Sequence, residues 1–344
     1  MSSTCSVAEA MADPALIHGG RLDEAMARFG GARADWIDLS TGINPWPWPV
    51  AEIAPQAWTR LPDAAAVEAT TGAARRCYGT PADARIIVGN GSQALIQALP
   101  LCLDPTTVAV VGLTYREHER CWTLAGHRVR SVPDLGAVPE GTDVVVLVNP
   151  NNPDGRTIAP GVLLDVADRL GGRGGLMVVD EAFADVVPEI SVAASAGRPG
   201  LCVLRSFGKF FGLAGVRIGF ALCDERIGPA LAARLGPWPT SGIALDVAAR
   251  ALADDDWIAS TRTRLAQAMA ALRETVGRCG LTVVGSTDLY ALVDCADAGR
   301  LWRSLCAAHI LTRPFPERPG WLRLGLPATA DASRRLGDAL GSRP

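Results

Sequence analysis

The sequence predicts an α/β protein built on a mostly parallel sheet, with a smaller α+β lobe after it. Three observations predict this. Six short apolar runs, Ile86 to Val88, Val108 to Val111, Val144 to Val148, Leu176 to Val179, Cys202 to Leu204 and Ile218 to Leu222, are separated by helix-length stretches. Runs of that length, rich in Val, Ile and Leu, suit strands covered on both faces. Past Trp238-Pro239 the texture changes to alanine-, leucine- and arginine-rich stretches, and Ala244 to Gly277 reads as helices with one apolar face. Finally, 344 residues exceed one minimal core and fall short of three. The expected division is an N-terminal arm with part of the small domain over 1–45, a large domain over 46–240, and connecting helices with the C-terminal small domain over 241–344.

In chain order, His18 to Gly31 reads as a short helix entered through Gly19-Gly20 and closed by Gly30-Gly31. Trp36 to Leu39 reads as a strand. The segment Asn44-Pro-Trp-Pro-Trp-Pro49 is stiffened by three prolines and cannot be helical throughout, so it reads as an arm crossing a surface. The strand and helix alternation runs from about Ala64. In the last part, Leu281 to Val284, Leu289 to Val293 and Leu322 to Leu326 read as strands around a helix from Ala298 to Ala308.

Composition excludes several classes of function. With 49% hydrophobic and 20% charged residues and a formal charge of −3, the chain has no field that would gather nucleic acid or anionic lipid. Nine cysteines stand apart from one another and from the four histidines, so neither a zinc site nor a disulfide framework is suggested. No basic segment leads into an apolar run at the start, and no stretch reaches the length of a membrane span. A cytoplasmic protein without nucleic-acid or membrane partners is the expectation.

Parallel sheets place ligands beyond the carboxyl ends of their strands, which directs attention to the residues after each apolar run. Gly89-Asn-Gly-Ser-Gln93 suits either a tight turn or a phosphate cup, where bare backbone N–H groups and the Ser92 hydroxyl approach an anion. Asn149-Pro-Asn-Asn-Pro-Asp-Gly155 is either a turn built for backbone reasons or the source of an amide that donates to an aromatic hydroxyl. Asp180-Glu181 at a strand end either caps the next helix or meets a cation such as a protonated pyridine. The most specific signal is Arg205-Ser-Phe-Gly-Lys-Phe-Phe-Gly-Leu-Ala-Gly-Val-Arg217: a lysine among aromatic residues is biased toward the neutral, nucleophilic amine. Ser206, three residues earlier, and Arg217, eight residues later, could both grip the phosphate of a cofactor held by that lysine.

These motifs, in this order and spacing, resemble the fold-type I pyridoxal 5′-phosphate enzymes of the aspartate aminotransferase superfamily over the whole chain. The resemblance implies a large domain with a mostly parallel sheet, a small α+β domain, a homodimer, and a cofactor joined to Lys209 as a Schiff base. It further implies that Gly91, Ser92, Ser206 and Arg217 hold the cofactor phosphate. Tyr115 would stack on the ring, Asn152 would bond the ring hydroxyl, and Asp180 would keep the ring nitrogen protonated. Arg323, in Trp-Leu-Arg-Leu-Gly, would bind the substrate α-carboxylate.

Within the superfamily, His18-Gly-Gly20 and Ser40-Thr-Gly-Ile-Asn-Pro45 are similar to the start of the histidinol-phosphate aminotransferase group, and inside it of the cobalamin-pathway L-threonine-O-3-phosphate decarboxylases. That likeness makes His18, Asn44 and Arg313 candidates for the phosphate of a phosphorylated amino acid. The implied activity is decarboxylation, with transamination of a histidinol-phosphate type of substrate as the alternative and a non-catalytic protein on the same fold as a second. Two positions depart from the family pattern. Phe183 stands where many members have a tyrosine that reaches the ring oxygen, and Leu61 stands where relatives place a tyrosine that reaches the neighbouring subunit's cofactor phosphate.

Overall fold

A computed structural model describes residues 19–342. They fall into two compact units. One comprises Trp48–Asn152 and Thr157–Trp257; the other comprises 19–47, Pro153–Arg156 and 258–342. The first elements are a helix, Leu22–Phe29, and a short strand, β1 (Ile37–Asp38). Asp23 and Glu24 in the helix's first turn and Arg28 in its last complement the macrodipole, and Gly30, at φ 77°, ends it. His18 lies outside the described residues.

The first unit is organised by a seven-stranded sheet. Its strands are β2 (Arg85–Gly89), β3 (Thr107–Val111), β4 (Arg128–Val132), β5 (Val144–Val148), β6 (Leu176–Asp180), β7 (Leu201–Ser206) and β8 (Gly219–Cys223). They lie in the order β2-β8-β7-β6-β5-β3-β4. From β7 across to β4 every pairing is parallel, while β8 pairs antiparallel with both β7 and β2. All residues of β5 and β6 are buried, as expected of strands covered on both faces. Alternate residues such as Val144, Val146, Leu176 and Val178 point to one face, where they meet Leu95, Trp122 and Ile227 from three helices.

Six of the strands coincide with the apolar runs. The sequence reading misses β4 because it has no such run: Arg128 and Arg130 belong to an edge strand with most of its residues exposed, where charge discourages further pairing.

The second unit carries a four-stranded antiparallel sheet of β9 (Thr282–Thr287), β10 (Tyr290–Asp294), β12 (Arg313–Pro314) and β13 (Trp321–Gly325), in the order β12-β13-β10-β9. Beside it β1 pairs in parallel with β11 (Ile310–Leu311). The expected helix runs Ala298–Ala307, capped by Asp297. A last helix, Ala330–Gly341, capped by Thr329, was not expected from the sequence. The segment Pro153–Arg156 packs on β9: Gly155 and Gly285 each lie so close to the opposing backbone that a side chain at either would collide with it. Among the described residues no helix is long and apolar enough to cross a membrane, and no group of His, Cys, Asp and Glu is placed to hold a metal ion.

One buried ionic group ties the ends of β6 and β7 to the loop after β6. Arg205 donates to Glu181 at 2.6 Å and to Asp185 at 2.7 Å, and its guanidinium lies 4.2 Å from the centre of the Tyr78 ring. Ser191 Oγ and the Val192 N–H also donate to Glu181. Burial pushes the Glu181 carboxyl above its ordinary range, with Arg205 the main opposing influence. For an acid raised in this way, its contribution to stability is present at low pH and is lost as pH rises through the raised pKa. Arg205→Met removes the cation from two buried carboxylates, and should destabilise the protein by about 3 to 5 kcal/mol in urea unfolding near neutral pH. That loss should shrink as the pH is lowered from about 8 to about 5; a loss independent of pH would show that the ion group is not its source.

Candidate active site

Every residue assigned to the cofactor lies in the first unit, at one edge of its sheet. The parallel strands deliver their carboxyl ends there: Gly91 and Ser92 follow β2, Tyr115 follows β3, Asn152 follows β5, Asp180 ends β6, and Ser206 ends β7 with Lys209 just after. Because β8 runs the other way, its beginning reaches the same edge, with Gly219 opposite both Gly89 and Ser206. Arg217 is brought there by that reversal.

The helix Gly91–Ala98 starts at this edge, and Asn90 at its N-cap makes no side-chain capping bond. The first N–H groups of a helix have no partner within it and are the groups that suit an anion. Gly91 has φ 71°, and a Cβ built on it would lie 2.6 Å from Arg217 Nη2, so the guanidinium occupies the space a side chain would take. Gly219 is pressed against the Ser92 backbone in the same way. Arg217 itself is left-handed, at φ 58°, and donates to the Ala214 carbonyl at 3.2 Å. Bare amides, two serines and a guanidinium form a donor set that suits a phosphate monoester.

Asp180 is 2% exposed. One carboxylate oxygen accepts the Ala182 N–H at 3.0 Å, and the other lies 2.8 Å from His118 Nε2. The sequence reading does not include His118; the available signal was a histidine three residues after Tyr115, at the start of the next helix. The Tyr115 and His118 rings meet edge to face at 6.2 Å.

Of the three asparagines after β5, two serve the backbone. Asn149 bonds both the N–H and the C=O of Ile158, and Asn151 donates to the Leu113 carbonyl. The turn explanation holds for these two; Asn152 is buried, at 8% exposure.

Lys209 sits in the single-turn helix Phe207–Phe210. Its aromatic neighbours anchor that turn: Phe207 stacks on Phe211 at 4.5 Å, Phe211 on Trp257 at 5.5 Å, and the Trp48 N–H donates to the Phe211 carbonyl. Lys209 Nζ lies 5.7 Å from the centre of the buried Phe183 ring. Phe183 thus offers the lysine an aromatic face in place of a hydroxyl. The chemistry and placement of these eight residues fit pyridoxal 5′-phosphate.

The remaining candidates lie in the second unit. Arg313 and Arg323 are directly opposite one another on β12 and β13. Arg323 is buried, donates to the Ser40 carbonyl at 2.8 Å and lies 4.9 Å from the centre of the Tyr290 ring. Burial, and then Arg313, bring its pKa down to about 9. Asn44 is buried, and its amide oxygen accepts the Trp46 N–H at 2.9 Å in a local turn.

The aminotransferase class I and II family model matches residues 35–337. Threonine-phosphate decarboxylases from Sinorhizobium sp and Pseudomonas aeruginosa are 45% and 46% identical to the chain, each covering 94% of it and 97% of the relative. Among solved structures, the histidinol-phosphate aminotransferase of Sinorhizobium meliloti in complex with pyridoxal-5′-phosphate superimposes with a TM-score of 0.78 at 22% identity, covering 99% of this chain and 97% of that one.

Gly91→Ala would set a methyl group against Arg217 at a backbone angle that L-residues adopt at a penalty of about 1–2 kcal/mol. Its affinity for pyridoxal 5′-phosphate, read by absorbance titration, should fall by about tenfold. Gly215→Ala, whose Cβ meets open space, should bind as the unaltered protein does.

Proposed function

The chain belongs to the aminotransferase class I and II family, and from that premise we propose that it is a pyridoxal 5′-phosphate-dependent lyase. Its reaction is the decarboxylation of L-threonine O-3-phosphate to (R)-1-aminopropan-2-yl phosphate and carbon dioxide, a step of cobalamin biosynthesis. The observation that carries the substrate class is the directly opposed pair Arg313 and Arg323. Two guanidinium groups side by side on adjacent strands can each take one anionic group of a single small molecule. A substrate with a phosphate at one end and a carboxylate near the other supplies both. The two decarboxylase relatives at 45% and 46% identity support loss of carbon dioxide, whereas the aminotransferase structure at 22% identity speaks for the fold alone.

When bound, the cofactor supplies an electron sink for the pair left as a bond at Cα breaks. Asp180, held by His118 and the Ala182 N–H, keeps a fixed negative charge for the ring nitrogen. Gly91, Ser92, Ser206 and Arg217 would hold the phosphate, Tyr115 the ring face and Asn152 the ring hydroxyl. Lys209 Nζ would hold the cofactor, and its amine would return a proton to Cα. Arg323 would take the α-carboxylate, and Arg313, with His18 and Asn44, the substrate phosphate. By fixing both ends of the substrate, these residues choose which bond at Cα breaks.

A homodimer belongs to the same proposal. Trp58, Leu61 and Trp238 are more than half exposed, and Gly242, close after Trp238, packs on the helix that holds Trp58. A second copy would cover this apolar surface. With leucine at position 61, no hydroxyl from that residue can reach across.

Incubation with L-threonine O-3-phosphate should release carbon dioxide and the amine in equal amounts without any keto acid. Turnover that requires 2-oxoglutarate would replace this reading with the aminotransferase. Lys209→Ala should lose the absorbance of covalently bound cofactor; a colourless parent protein that takes up no cofactor would favour a non-catalytic role. Arg323→Met should lower kcat/KM by about a thousandfold or more.

A further inference from the structure

We propose that Gln93 and Glu117 form a positioning relay that fixes Tyr115 as the face for the cofactor ring and keeps its hydroxyl out of proton transfer. The inference rests on the reading above, in which Tyr115 covers that ring. Tyr115 Oη lies 2.9 Å from Gln93 Oε1, and Gln93 Nε2 lies 2.8 Å from Glu117 Oε2.

The direction of these bonds follows from chemistry. Glu117 is 6% exposed, with Arg120 Nη1 at 3.4 Å from the same oxygen, and a carboxylate beside a guanidinium accepts and does not donate. The NH2 group of Gln93 must therefore face Glu117, which turns its carbonyl toward Tyr115. The Tyr115 hydroxyl is then the donor, and its proton is committed to a neutral carbonyl.

Position gives the relay its purpose. Gln93 lies in the first turn of the helix Gly91–Ala98, beside the phosphate donors Gly91 and Ser92. Glu117 opens the helix Glu117–Leu124, whose next residue, His118, bonds Asp180 at 2.8 Å and meets the Tyr115 ring edge to face. The phosphate cup, the ring face and the partner of the ring nitrogen are thereby joined through side chains. A tyrosine free to rotate about χ1 would present its face only part of the time; one tethered at its far end cannot.

The test uses full-length protein stripped of cofactor and titrated with pyridoxal 5′-phosphate, following the circular dichroism induced in the bound ring. Gln93→Leu, of similar volume but without the amide, should weaken binding about five- to tenfold and reduce the induced signal. In a Tyr115→Phe background the same change should add less than about twofold, since the bond it breaks is already absent. Glu117→Gln keeps an acceptor for Gln93 and should bind within about twofold of the parent, whereas Glu117→Leu should follow Gln93→Leu. The pH profile of kcat should keep its shape in Tyr115→Phe. Should Gln93→Leu not fold, Tyr115→Phe is expected to show the same weakened binding in its place. Equal weakening by Gln93→Leu in both backgrounds, or a displaced pH profile in Tyr115→Phe, would overturn the relay while leaving the cofactor reading intact. A parent protein that binds no pyridoxal 5′-phosphate would overturn both.

Discussion

The arrangement at the sheet edge depends on one carboxylate kept almost wholly out of water. Asp180 ends a strand in which every residue is buried, and a charge at such depth is tolerable only when hydrogen-bond donors and a cation meet it. The Ala182 N–H and His118 meet part of that need within the protein, and a protonated pyridine nitrogen is the further partner we assign. Much of the neighbouring architecture serves to hold this group in place. His118 is carried by the helix after β3, and its ring is braced by Tyr115.

The same rule governs two other buried charges, with different outcomes. Arg205 is enclosed by two carboxylates and needs nothing from outside, so it reads as an internal brace between the ends of β6 and β7. Arg323 is also buried, but the residue opposite it is another arginine. Its lowered pKa expresses the same imbalance. Arg323 also meets the Ser40 carbonyl, the Tyr290 ring and the charge of Asp38.

The reversal of β8 is the topological step that gathers the phosphate donors. In an all-parallel sheet the segment before a strand would emerge at the opposite edge. Running antiparallel, β8 begins where β2 and β7 end, and Arg217 arrives beside Gly91 and Ser206 although Gly91 is far from both in the chain.

Much of this was legible in the sequence, because burial and backbone geometry leave local marks. Strands covered on both faces must be continuously apolar, and β5 and β6 are, up to the Asp180 that ends β6; a backbone that approaches an anion needs glycine, and Gly91 is one. The motif around Lys209 was legible for a similar reason, although its aromatic residues proved to anchor the turn by stacking on Trp257. What the sequence could not state was partnership. Nothing local tells that Asn149 and Asn151 bond backbone groups, that the helical residues Gln93 and His118 face Tyr115 and Asp180, or that Arg313 and Arg323 share a register. Edge strand β4 escaped because an edge is defined by the absence of a neighbour, which leaves no apolar signature. The sequence by itself determined which strands are covered on both faces and which backbone positions are bare, because both are properties of single residues and their near neighbours; only the tertiary structure decided which polar groups are buried and which charge meets which, because that depends on strand order and register between distant segments.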